Sequence, residues 1–194
     1  MASITAICVY CGSSNFGPQP HRDAAARLGR LIAGAGIRLV FGGGNVGLMG
    51  VVAEAAMAAG GMVTGIIPQH LLKVERPDNE LTELLVVDSM HVRKEAMFRR
   101  SDAFVILPGG LGTLDETFEI LTWKQLRLHD KPIVICDLDG YWQPFFALFD
   151  HLLESRYMPP RARGFLIRVE TVEEVLPALA EAAAPEVLPQ PERL

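Results

Sequence analysis

Between Gly109 and Glu116 the chain reads GGLGTLDE, directly after the apolar run Ala103–Leu107 and Pro108. A glycine-rich turn entering a helix presents unpaired backbone N–H groups, which attract an anion such as phosphate without help from a lysine. The stretch has no G-K-[ST] ending, so it is not a Walker A loop. Thr113 adds a hydroxyl at the expected helix start, and Glu116 adds a carboxylate three residues on. The T-x-x-E spacing has two readings. In one, Thr113 caps the helix and Glu116 folds back to the Thr113 N–H. In the other, Glu116 stands at the mouth of a crevice as an acid, a base or a stabiliser of positive charge. Local pattern alone favours the cap.

A second glycine-rich stretch, GGGNVG at 42–47, also joins a strand pattern to a helix pattern. It fits the dinucleotide fingerprint G-x-G-x-x-G. That use requires an acid about 20 residues on, at the end of the next strand. The next strand instead ends Gly65-Ile66-Ile67-Pro68, and the first acid after it is Glu75. A nicotinamide cofactor is therefore disfavoured, while the anion-attracting backbone of the loop remains. Either the loop lines a ligand or it is a tight turn. A third turn, Gly12-Ser13-Ser14, follows the first strand pattern. In SMHVRKEAMFRRS, residues 89–101, helical spacing puts Met90, Arg93, Lys94 and Met97 on one face. Arg93 among methionines either lays its stem over apolar surface or enters a pocket.

Apolar runs alternate with helical patterns along the whole chain. Strands are expected at 4–11, 37–41, 62–67, 84–87, 103–107, 132–136 and 165–169. Helices are expected at 20–35, 47–59, 89–100, 113–128, 141–154 and 172–183, with Asp88 or Ser89 capping the third. Residues 69–83 read as a loop around ERPDNE, and 185–194 as a Pro-rich tail beyond one domain at 1–184. Strands apolar throughout and separated by helices indicate a parallel sheet covered on both faces. The expected fold class is a Rossmann-like, doubly wound α/β domain of about seven strands, with ligands bound beyond the carboxyl ends of the strands. The turns at Gly12-Ser13, Gly42–Gly44 and Gly109-Gly110 then gather on one sheet edge.

Composition removes several function classes. A net charge of −5 argues against a nucleic-acid partner. All but four of the 18 basic residues are arginines, which suits bidentate contact with a small anion. No apolar run reaches the roughly 18 residues of a membrane span. The N-terminus lacks the basic region of a signal peptide, so a cytoplasmic location is expected. Cys8 and Cys11 form a C-x-x-C, but residues three apart on a strand face opposite ways and would not share a metal. The five histidines show no metal-ligand spacing beyond a weak His151/Glu154 pair, and G-x-S-x-G is absent. No metal or cofactor is expected.

Taken together, these stretches resemble the Lonely Guy family of cytokinin riboside 5′-monophosphate phosphoribohydrolases. The family signature P-G-G-x-G-T-x-x-E matches PGGLGTLDE at 108–116, and M-H-x-R-K matches MHVRK at 90–94. FGGGNVGLMG at 41–50, CGSS at 11–14, the TW-x-QL pattern at 122–126 and DGY at 139–141 follow the same order. Phe41 and Leu111 replace tyrosines frequent in the family. The resemblance implies hydrolysis of the N-glycosidic bond of an N6-modified adenosine 5′-monophosphate, with Arg93 and Glu116 as the catalytic pair. It implies a nucleotide bound by Gly12, Ser13, Gly43, Gly44, Gly47, Met90, Arg93, Lys94, Gly109, Gly110, Leu111, Gly112, Thr113 and Glu116. It also implies a homodimer. The lysine decarboxylase label such chains have carried does not fit, because none of Lys73, Lys94, Lys124 and Lys131 lies in a pyridoxal phosphate motif. A nucleotide-binding module without chemistry and a more general purine nucleotide 5′-monophosphate nucleosidase are the competing readings.

Overall fold

Seven apolar runs become seven parallel strands: β1 (Ala6–Tyr10), β2 (Arg38–Phe41), β3 (Val63–Pro68), β4 (Glu83–Val87), β5 (Ala103–Ile106), β6 (Ile133–Cys136) and β7 (Ile167–Val169). They form one sheet in the order β4-β3-β2-β1-β5-β6-β7. The computed structural model describes residues 4–72 and 81–183. Crossovers are made by α1 (Gln19–Gly34), α2 (Gly47–Ala58), α4 (Met90–Arg99), α5 (Leu111–Gln125) and α6 (Gln143–Glu154). A single turn, α3 (Gln69–Leu72), follows β3, and α7 (Val175–Ala182) closes the described fold.

Strand period two divides the core. Ile7, Val9 and Cys11 pack in one layer, with Leu28 and Ile32 of α1 and Val52 of α2. Ala6, Cys8 and Tyr10 pack in the opposite layer, with Met97 of α4 and Ile120 of α5. Cys8 and Cys11 thus lie on opposite faces of the sheet. The α1–α2 contact is close: a β-carbon at Gly29 would collide with the Val52 carbonyl.

The Rossmann-like α/β class is as read from the sequence, with boundary differences. The segment 69–83 is not all loop: it opens with α3 and ends inside β4, and its ERPDNE centre lies outside the described residues, as does the 185–194 tail. The last helix is in two parts, a 3-10 turn at Val172–Glu174 and then α7. Ser89 caps α4, accepting from the Val92 N–H at 3.3 Å.

The largest difference is at α5, which starts at Leu111 with Gly110 as N-cap, two residues before the T-x-x-E pattern suggests. Thr113 is therefore inside the first turn and does not cap. The helix can start early because Gly109 lets the chain turn tightly: a β-carbon there would collide with the Thr113 side chain. Freed from the capping box, Glu116 points elsewhere.

Candidate active site

Strand order reverses between β1 and β5, and the loops leaving them diverge to open a crevice. The two loops touch at its base. The Gly12 N–H donates to the Pro108 carbonyl at 2.9 Å, and a β-carbon on Gly12 would lie 3.2 Å from Gly109 Cα. On the β5 side, the first bond of α5 runs from Leu114 N–H to Gly110 carbonyl at 3.0 Å. The amides of Leu111, Gly112 and Thr113 precede that bond and have no acceptor inside the helix. The Tyr141 hydroxyl donates to the Gly109 carbonyl at 2.8 Å, tethering this turn to the start of the α6 segment.

Arg93 reaches the crevice from α4 and is 7% exposed. Its Nε donates to the Ile66 carbonyl and its Nη2 to the Gly42 carbonyl, both at 3.2 Å. Met90 Sδ lies 3.9 Å from Nη1. The guanidinium occupies the space a side chain at residue 42 would need, since a β-carbon on Gly42 would overlap Nη2. Arg93 therefore enters a pocket rather than covering a surface, and Gly42 makes that possible.

Glu116 is 8% exposed, and its Oε1 stands 3.8 Å from Arg93 Nη1. Burial pushes its carboxyl up to about 7 against the pull of Arg93, and Asp115 and Glu119 add to the rise. A carboxyl titrating there exchanges a proton readily at neutral pH. Lys94 neutralises those two neighbours: its Nζ lies 3.0 Å from Asp115 Oδ2 and 3.1 Å from Glu119 Oε1.

Arg93 and Glu116 form part of the wall of a cavity of about 510 Å³, open to solvent. That wall also includes Gly12, Ser13, Gly109, Gly110, Leu111, Gly112 and Thr113, all expected from the sequence. Gly43, Gly44, Gly47, Met90 and Lys94 are not among its described lining residues. Gly43 backs onto Ile66 and Ile67, Gly47 onto the Ser13 backbone, and Lys94 faces α5. Residues outside the expected binding set also line the cavity, including Phe16, His21 and Leu71, and Met49 and Tyr141 from the matched stretches 41–50 and 139–141. His21 carried one signal: it shares a helical face with Ala25, Leu28 and Ile32, all buried. Cys11 lines the cavity too, but burial pushes its thiol far up, which leaves it unreactive.

The family model described as "Possible lysine decarboxylase" matches residues 49–179. The cytokinin riboside 5'-monophosphate phosphoribohydrolase LOG3 of Arabidopsis thaliana is 41% identical over 177 residues, 91% of this chain and 82% of that protein. The phosphoribohydrolase LOG of Oryza sativa subsp. japonica is 41% identical over 175 residues, 90% of this chain and 72% of that one. Among solved structures, a molybdenum cofactor binding protein from Rippkaea orientalis superposes with a TM-score of 0.72 at 23% identity. That match covers 95% of this chain and all of the other, and at so low an identity it speaks for the fold alone. A family model over two thirds of the length, together with relatives near 41% identity, settles the family. The chain belongs to the Lonely Guy family, whose curated phosphoribohydrolases are N-glycosyl hydrolases.

Proposed function

We propose that the protein hydrolyses the N-glycosidic bond of N6-modified adenosine 5′-monophosphates, the cytokinin nucleotides, releasing free base and ribose 5-phosphate. The observation that carries this reading is the buried Glu116–Arg93 pair beside the unpaired first-turn amides of α5. The 5′-phosphate sits on the amides of 111–113, where the helix dipole favours negative charge. Bound there, the phosphate orients C1′ of the ribose towards Glu116. Water adds to C1′, the C1′–N9 electron pair leaves with the base, and the base takes up a proton. The transition state carries oxocarbenium character. Glu116 acts through its ionised form, whether it stabilises that cation or takes the proton of the water. Arg93, fixed by the Ile66 and Gly42 carbonyls, holds the carboxylate in place and favours its charge.

A homodimer is part of the same reading. Along α5 the exposed side chains Leu111, Phe118 and Leu126 form an apolar stripe continued by Leu128, and a second copy would cover it. Trp123 does not belong to that stripe, because it packs edge-on against Phe98 with ring centroids 4.9 Å apart. No described helix is long and apolar enough to cross a membrane. Cys8, Cys11 and Cys136 are all free, which supports a reducing, cytoplasmic setting.

The test is incubation with N6-isopentenyl-AMP and with plain AMP, reading free base and ribose 5-phosphate. Release from the isopentenyl nucleotide in preference to AMP is the expected result. Release of neither base above a boiled control, with AMP still bound by calorimetry, would leave a binding module instead.

A further inference from the structure

His21 stands in the first turn of α1, lines the cavity and is 7% exposed. Among the described residues nothing hydrogen-bonds its ring, so a nine-tenths-buried imidazole faces a cavity with its polar atoms unused. Its ring nitrogens are not among the fully buried unsatisfied atoms of the described residues, so they open onto the cavity, where a ligand oxygen can take them up. Its ring contact points to the ligand end involved. His21 lies edge-on against Tyr141, with centroids 5.5 Å apart, and Tyr141 donates to the Gly109 carbonyl at 2.8 Å. The imidazole is thus anchored one ring away from the turn whose amides open α5.

The donors in the cavity wall argue the same way. Arg93 is committed to two carbonyls and to Glu116. No lysine is among the described lining residues. Besides Arg93, the only side-chain nitrogen donor that the described wall offers a phosphate seated on the α5 amides is His21.

We infer that His21 is a phosphate-binding residue, completing with the first-turn amides of α5 a subsite for the 5′-phosphate. The inference rests on the nucleotide reading above and assigns to His21 a place in binding, not in bond cleavage. It predicts that a ring without nitrogen weakens phosphate-bearing ligands and leaves the chemical step alone.

The experiment uses the full chain and ribose 5-phosphate, which binds whether or not turnover occurs. By calorimetry, His21→Phe, which keeps the ring against Tyr141, raises the Kd for ribose 5-phosphate about tenfold, the loss of one charge-assisted hydrogen bond. His21→Gln, which keeps an N–H donor, recovers most of that loss. With N6-isopentenyl-AMP, His21→Phe raises KM and leaves kcat within about twofold. In the unmutated protein ribose 5-phosphate shifts the imidazole nitrogen resonances of His21, a reading that needs no folded variant. Unshifted resonances on saturation, or an unchanged Kd in His21→Phe, would overturn the inference alone. So would a fall in kcat at constant KM. No binding of ribose 5-phosphate to the unmutated protein would overturn the nucleotide reading with it.

Discussion

Two glycine-rich turns of this molecule look alike in sequence and differ in what they face. After β2, residues 42–47 lead into α2; after β5, residues 108–110 lead into α5. At the first turn the helix start is already satisfied from within. Gly47 N–H donates to Asn15 Oδ1 at 2.8 Å, and Leu48 N–H donates to the Gly12 carbonyl at 2.9 Å. Gly43 and Gly47 both have positive φ, 76° and 61°, and a β-carbon on Gly47 would come within 2.5 Å of the Ser13 backbone. At the second turn Gly109 also packs closely, against Thr113 and Gly12, but β-carbons on Gly110 and, in the first turn of α5, on Gly112 would meet nothing within 4 Å, and both of those residues line the cavity. Glycine-rich turns before helices are therefore not interchangeable anion sites. The first clamps protein against protein and supports Arg93. The second is open for a ligand.

Substitutions that add one methyl group separate these roles. The largest effect is expected at Gly42→Ala, where the new carbon takes the place of Arg93 Nη2. Displacement of the guanidinium lowers kcat/KM by about 10²-fold, as misplacement of a positioning group by an ångström does. Steady-state rates with N6-isopentenyl-AMP check this, and an unchanged rate would separate Arg93 placement from the chemistry. Next comes Gly47→Ala, which forces a left-handed backbone and a clash with Ser13. A loss of about 1–3 kcal/mol in urea denaturation is expected. The matching change at the other turn, Gly112→Ala, has the opposite sign. Replacing a helical glycine with free space around it stabilises by up to about 1 kcal/mol, while the methyl group crowds the cavity and weakens ribose 5-phosphate binding in calorimetry. Equal behaviour of Gly47→Ala and Gly112→Ala would erase the distinction.

Most of the fold was legible because buried parallel strands are apolar from end to end and the intervening glycines and prolines stop helices sharply. The Ser89 cap and the opposed faces of Cys8 and Cys11 follow from local rules that tertiary structure left intact. The start of α5 was misread because T-x-x-E copies a capping box, whereas a tight turn at Gly109 lets the helix begin at Leu111. The partner of Gly42 was not legible either. Its contact with Arg93 spans 51 residues, and nothing local in GGGNVG signals a guanidinium. Lys94, grouped with Arg93 by helical face, turns instead to the acids of α5. His21 shows no metal spacing, and its one local signal is the buried face of α1 that it shares with Ala25, Leu28 and Ile32.

The smallest expected effect concerns Lys94. It neutralises Asp115 and Glu119, whose negative charges raise the Glu116 carboxyl. In Lys94→Met those charges act unopposed, so the Glu116 carboxyl titrates higher and the pH–rate profile moves to higher pH with little loss at its plateau. A profile that stays in place would show that Lys94 only joins α4 to α5.

The central claim is that ionised Glu116 does the chemistry. Its carboxyl is held at about 7, so the active anion forms as pH rises through that value. The direct measurement is kcat/KM for N6-isopentenyl-AMP against pH, for the unmutated protein and for Glu116→Gln. The account predicts a rate that climbs from pH 5 to a plateau with a midpoint at about 7, and a folded Glu116→Gln protein slowed by about 10²-fold or more with that limb absent. A Glu116→Gln protein that folds and keeps both the rate and the limb would contradict it.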